Sequence, residues 1–169
     1  VRAAIIDSSP LIFLSHLDLA TKLAEFFRVV YVPSLVQQEV NRKHRFRYRL
    51  NKLYATGLFQ RCHASNQTNR KLMEEYLGPG EAEALTQGQE RGIRFFIGDE
   101  RRARNYAMNM GICPIGTARL LARLNIEGYA ENPRILIKRL RLELNCRIAD
   151  DVVEAAIKEA PKPIIGPDY

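Results

Sequence analysis

VRAAIIDSSP (residues 1–10) opens the chain. Ala3–Ile6 is an apolar run too short for a helix and is cut off by Ser9-Pro10, so it reads as a buried strand. Asp7 then stands at the carboxyl end of that strand, where open α/β sheets bind ligands. Asp and Ser also favour turns and helix N-caps. A functional role for Asp7 therefore depends on what else in the chain points to the same place.

Four more apolar runs follow: VVYV (29–32), LFQRC (58–62), RFFI (94–97) and ICPI (112–115). Helical patterns fill the gaps at about 10–27, 34–55, 67–78, 81–91 and 99–110. Strands alternating with helices predict an α/β fold of three layers, α/β/α, around a central, mostly parallel sheet of about five strands. Beyond Gly116-Thr117 the chain reads as wholly helical. ARLLARLNI (118–126) continues the domain. PRILIKRLRLEL (133–144) and DDVVEAAIKEA (150–160) form a C-terminal helix pair, with Pro133 near the first N-terminus and Asp150 expected to cap the second. PKPIIGPDY (161–169) is rich in proline and is expected to be a loosely ordered tail.

With 169 residues, 46% of them hydrophobic, the chain can bury one core and is too short for two ordinary domains. No stretch approaches the roughly 18 apolar residues of a membrane span, and no basic-then-apolar leader is expected at the start. Cys62, Cys113 and Cys146 are far apart, odd in number and outside any CxxC pattern. They argue against a disulfide framework or zinc cluster and toward a reducing cytoplasm. Net charge is +7. Residues 40–73 hold nine Lys or Arg and no acid, and residues 101–126 hold five Arg and no acid. Such a surface favours a polyanion, of which nucleic acid is the commonest.

Helical phase singles out the acids. In PSLVQQEV (33–40), Glu39 falls between Leu35 and Val36, inside the apolar arc, at about 40° from Leu35. A carboxylate there has to be paired or neutralised. In GPGEAEALTQG (78–88), Glu81 shares its face with Ala84, Leu85 and Gly88, whereas Glu83 lies about 200° away and is expected in solvent. In IGDERRARNYAMNM (97–110), Asp99 heads the apolar stripe, Glu100 is at its edge, and Arg101 and Arg104 point outward. Asp99 reads equally well as a helix cap, and the two roles are compatible. Asp7, Glu39, Glu81 and Asp99 converging without Lys or His would make an oxygen-only site for a hard cation, Mg²⁺ or Mn²⁺ and not zinc.

These residues resemble the PIN-domain nucleases. Their pattern is an Asp ending the first strand, a Glu on an early helix, an acid starting a later helix, and an Asp after the following strand; here Asp7, Glu39, Glu81 and Asp99 match it. A hydroxyl after the first Asp fits as Ser8 or Ser9. GPGEAEAL, IGDERRARNYA, IGTARLL and the helix pair are similar to a bacterial and archaeal subgroup of predicted nucleases with a C-terminal helical extension, some of them beside antitoxin-like genes. The resemblance implies a PIN-like catalytic domain over 1–128, a helical extension of the same domain over 129–160, and a tail over 161–169. It implies a Mg²⁺- or Mn²⁺-dependent ribonuclease acting on single-stranded or structured RNA, with Glu100 as a weaker fifth ligand. An antitoxin protein and a homodimer stay open as partners, and no membrane is expected. Two departures stand out. The third acid, often Asp in the family, is Glu81. The position three residues after Asp99, often Asp or Asn, is Arg102, which would suit a phosphate better than a metal.

For the substrate, Arg45, Arg49 and Lys52 form a basic stripe on NRKHRFRYRLNK (41–52) and are expected to follow the RNA backbone. Ser8, Arg102 and Thr117 complete the expected substrate contacts, although Thr117 also reads as a helix cap. The chief alternative is a catalytically degenerate PIN-fold module that binds nucleic acid or protein. A phospho-acceptor receiver would need Lys after the last strand, where the chain has Ile115-Gly116-Thr117. A haloacid-dehalogenase-like phosphatase would need Asp-x-Asp at Asp7-Ser8-Ser9.

Overall fold

Ala3–Ile6 forms β1, followed in the chain by β2 (Val29–Pro33), β3 (Phe59–Cys62), β4 (Phe95–Ile97) and β5 (Cys113–Ile115). The computed structural model describes residues 2–166. Every expected strand is present, with no end displaced by more than one residue. All pairings are parallel and the order is β3-β2-β1-β4-β5, with Ala3 opposite Val29 and Ile6 opposite Ile97. The chain winds outward from β1 through β2 to β3, then returns to the other side of β1 for β4 and β5. Its direction therefore reverses between β1 and β4, and the carboxyl ends of those two strands flank the crevice where such sheets bind ligands.

Side-chain alternation feeds two cores. Ala4, Ile6, Phe95 and Ile97 enter one, and Ile5 and Phe96 the other. The first core is covered by α1 (Ser8–His16), α3 (His44–Ala55), α7 (Thr117–Ile126), α8 (Pro133–Leu144) and α9 (Asp150–Glu159). The second is covered by α4 (Gln67–Met73), α5 (Pro79–Arg91) and α6 (Arg101–Asn109). α2 (Ser34–Arg42) joins the first core through Val36 and Val40 yet also packs on α5, so it bridges the layers. The fold is the expected three-layer α/β/α sandwich with C-terminal helices.

Two expected helices are divided. The 10–27 segment is α1 followed by a 3-10 turn, Ala20–Glu25, separated by Asp18 at φ 57°; Asp is one of the few side chains that tolerates that backbone region. The 34–55 segment breaks at Lys43, whose ψ is 83°. Asp150 is not the cap of α9: Ala149 holds that position, and Asp150 pairs with Arg141 at 2.7 Å. Arg119 donates to the carbonyls of Lys162 and Pro163, Arg123 to those of Ala160 and Pro161, and Ile165 is buried. Residues 167–169 of the expected tail lie outside the described residues.

Gly98, just after β4, is where the chain passes over a core aromatic. A β-carbon there would lie 2.3 Å from Cε1 and 2.4 Å from Cζ of the fully buried Phe96 ring. Gly98→Ala is expected to destabilise the protein by about 1–3 kcal/mol, since the ring has no room to retreat. The urea midpoint measures it; an unchanged midpoint would show that Phe96 yields.

Candidate functional site

Asp7 and Asp99 sit at the reversal point. Asp7 follows β1 and starts α1, and its N–H donates to the carbonyl of Ile97 at 2.9 Å, tying it to the end of β4. Its side chain is buried. Burial pushes its carboxyl up to about 7; the nearby charges of Glu81, Glu39 and Asp99 push the same way, and the Ser8 N–H pulls against them. These are two distinct physical effects, loss of hydration and like-charge repulsion.

Asp99 is anchored across the chain. Its Oδ1 accepts from Thr117 N at 2.7 Å and its Oδ2 from the Thr117 hydroxyl at 2.6 Å. It therefore braces the start of α7, while Glu100 occupies the cap position of α6. Burial raises its carboxyl, opposed by the two Thr117 bonds and by the Arg104 guanidinium.

Glu81 is half-buried in the first turn of α5, with Oε2 accepting from Gly78 N at 3.0 Å. Its carboxyl is also raised, first by burial and then by Glu100 and Glu39. Glu39 differs from expectation: it is exposed and not within the apolar face of α2. It still reaches the cluster. A β-carbon on Gly80 would stand 3.7 Å from Asp7 Oδ1 and 3.9 Å from Glu39 Oε2. Glycine at 80 leaves the space beside both carboxylates open.

The four acids thus share one field without forming a closed shell. Among the described residues, no three His, Cys, Asp or Glu side chains are placed to hold one metal ion. Glu81 turns to Gly78 and Asp99 to Thr117. The donors are carboxylate oxygens alone, which is the chemistry of a hard divalent cation.

The remaining expected contacts fall in different places. Ser8 is buried beside Asp7. Thr117 is fully buried with its hydroxyl committed to Asp99. Arg102 is exposed and lines a hollow with Glu81 and Glu100. Arg45 donates to His16 Nδ1 at 2.9 Å, Arg49 to Asp18 at 3.0 Å and to the Ser15 carbonyl, and Lys52 lies over the Tyr48 ring. Arg45 and Arg49 therefore grip the far end of α1, about 10 Å along the helix from Ser8.

Two further residues, besides Glu39, depart from their expected places. Glu83, expected in solvent, is buried and accepts from Ser34 Oγ at 2.7 Å, Leu35 N at 2.6 Å and Ala64 N at 3.4 Å. It fastens the start of α2, the helix that carries Glu39. Arg104, expected to point outward, donates to the Gly98 carbonyl at 3.1 Å. A β-carbon on Gly116 would lie 3.0 Å from Arg104 Nη1 and 3.3 Å from Asp99 Oδ1. Asp7 and Asp99 open onto a cleft of about 1030 Å³ between α6, the start of α7 and the α8–α9 connection.

Among the described residues no helix is long and apolar enough to cross a membrane. No curated protein matches the chain. A family model described as a PIN domain matches residues 3–162. PIN domains are generally nucleases, and that match takes in the switch-point acids, the whole sheet and the helix pair alike: the chain belongs to the PIN-domain family.

Proposed function

We propose that this chain is a Mg²⁺- or Mn²⁺-dependent endoribonuclease, with residues 1–128 as its catalytic part and 129–160 as an extension of the same domain. The observation that carries the reading is the position of Asp7. It is buried at the reversal point of the sheet, and its carboxyl is raised first by that burial and then by Glu81, Glu39 and Asp99, a placement costly to folding unless a cation or proton offsets it. Asp7, Glu39, Glu81 and Asp99 would hold the ion, with Glu100 beside them. Such an ion would supply an acidified water and a polarised phosphodiester for in-line attack. The chain's own groups prepare the site. Thr117 fixes the carboxylate of Asp99, the nearby Arg104 guanidinium, held on the Gly98 carbonyl, favours its charge, Gly80 leaves room at Asp7 and Glu39, and Glu83 sets the start of α2. The same chemistry would serve the toxin of a toxin–antitoxin pair acting in the cytoplasm, its antitoxin being the protein partner. A homodimer would use the outer side of α8, where Ile135 and Leu142 are exposed.

Arg102 beside Glu81 and Glu100 favours a second reading, a nucleic-acid- or protein-binding module without catalysis. A mixed RNA pool incubated with Mn²⁺, with EDTA, and with Asp7→Asn separates the two. Cleavage is expected only from the unaltered protein with Mn²⁺, with Asp7→Asn reduced to the EDTA background. Activity surviving both chelation and Asp7→Asn would overturn the mechanism, and no cleavage under any condition would leave the binding module.

A further inference from the structure

We propose that an unpaired RNA strand reaches Asp7 and Asp99 through the cleft between α6 and the α8–α9 connection, with Lys43, Arg101 and Arg147 holding its phosphates. The inference rests on the nuclease reading for its substrate, and on the distribution of unneutralised charge for its location.

Much of the chain's positive charge is already engaged by the protein. Arg70, Arg123, Arg134, Arg139 and Arg141 pair with Glu74, Glu127, Glu154, Glu143 and Asp150. On α3, Arg49 pairs with Asp18, Arg45 donates to His16, and Lys52 lies over Tyr48. Other exposed cations, such as Arg28, Arg47 and Lys138, are unpaired among the described residues but do not line the cleft; Lys43, Arg101 and Arg147 are unpaired and line it. All three are exposed, and among the described residues none has a side-chain hydrogen bond, an ion pair or a ring contact. They come from three separate places, the α2–α3 junction, the start of α6 and the α8–α9 connection, yet all three line the cleft that contains Asp7 and Asp99. Unpaired cations around buried carboxylates offset the repulsion a phosphate would otherwise meet there.

Arg119, in the cleft wall, is held there by its Nη2, which donates to the Lys162 and Pro163 carbonyls. The lips are apolar. Met108 on α6 is 56% exposed and Val152 on α9 is 50% exposed, and both line the cleft. Apolar side chains beside free cations suit a strand whose base faces are uncovered, whereas a duplex hides those faces. An acidic protein segment would meet the same cations, but it gives no reason for the cleft to contain Asp7 and Asp99. The C-terminal extension then contributes to the substrate path directly, because its connection supplies Arg147 and closes one side of the cleft.

The test is fluorescence anisotropy of a labelled single-stranded RNA with the full chain in EDTA, titrated between about 50 and 200 mM salt. EDTA removes metal-dependent cleavage, so binding is read alone. Arg101→Ala/Arg147→Ala is expected to weaken binding about tenfold or more and to reduce the slope of log affinity against log salt by about 1.4, the value for two phosphate contacts on a single strand. Arg101→Lys/Arg147→Lys should restore most of the slope, and Arg28→Ala/Lys138→Ala, at two exposed cations that do not line the cleft, should leave it unchanged. The same sequence as a duplex should bind about tenfold more weakly. An unchanged slope in the Arg101/Arg147 double variant or equal affinity for the duplex would each overturn the proposal, and no RNA binding at low salt would overturn it and leave the cleft to an acidic protein segment. Cleft-dependent binding without Mn²⁺ cleavage would remove the nuclease reading alone, and Mn²⁺ cleavage with an unchanged slope would remove this inference alone.

Discussion

Asp7→Asn is expected to stabilise the metal-free protein at about pH 8, by up to about 4 kcal/mol, while abolishing its stabilisation by Mn²⁺. The sign follows from the direction of the shift. The carboxyl of Asp7 is raised from 3.8 to about 7 in the folded chain, first by burial and then by Glu81, Glu39 and Asp99. Between those two values the folded state binds more protons than the unfolded one, so stability falls as pH rises through the window. The penalty is absent below the lower value and complete above the upper one. The raised carboxyls of Glu81 and Asp99 act in the same sense. Asn keeps the shape and an acceptor for the Ser8 N–H, but it has no charge to bury. Denaturant titrations in EDTA at about pH 5 and pH 8 should therefore show a fall for the unaltered protein and a flatter response for Asp7→Asn. A divalent cation reverses the balance by favouring the ionised carboxylates, and at a hundredfold excess over its Kd it adds about 2.7 kcal/mol. If Asp7→Asn is no more stable than the unaltered chain at the higher pH, or if Mn²⁺ stabilises both equally, Asp7 is not the centre of the acid cluster.

The strands were legible because each is a short apolar run bounded by punctuation such as Ser9-Pro10 or Gly98, and a sheet covered on both faces needs nothing more. Asp7 and Asp99 were legible for the same reason, as polar residues placed where a buried run stops. What the sequence did not carry was the identity of neighbours distant in the chain. Helical phase assigns Glu83 to solvent on the premise that α5 has one wet side. In the fold, α5 packs against β1, β2, β4, α2 and α4, and Ala82–Gly88 is buried all round. A helix so enclosed has no polar face to identify. Asp99 reads locally as a cap for the helix that follows it, whereas the helix it braces begins eighteen residues later at Thr117. Arg45 and Arg49 lie on the outer side of α3 as expected, yet long cationic side chains take the nearest unpaired carbonyl or carboxylate, and the end of α1 offers both.

Glu83→Ala is expected to be among the most damaging single changes outside the acid cluster, costing roughly 3–5 kcal/mol. The carboxylate is 3% exposed and accepts from Ser34 Oγ, Leu35 N and Ala64 N. Its removal leaves donors from two chain segments without their acceptor and opens a cavity inside α5. Leu35 N belongs to the first turn of α2, whose N–H groups have no partner within the helix, so Glu83 does from a neighbouring helix what a local cap would otherwise do. Pro33, in the cap position, has no side-chain oxygen to offer. The consequence reaches the site, because α2 carries Glu39 and its Val36 packs against Gly80 beside Asp7. Glu83→Gln separates stability from function. It retains one acceptor oxygen and the volume but places an NH₂ against a donor, and it should cost about 1–2 kcal/mol. Urea unfolding gives the first quantity for both variants. Mn²⁺-dependent RNA cleavage by Glu83→Gln, measured well below its melting temperature, gives the second and should fall although none of the four acids has changed. A cost below about 1 kcal/mol for Glu83→Ala would mean that α2 is held by its own hydrophobic contacts, and unimpaired cleavage by Glu83→Gln would mean that Glu39 does not need α2 held where Glu83 places it.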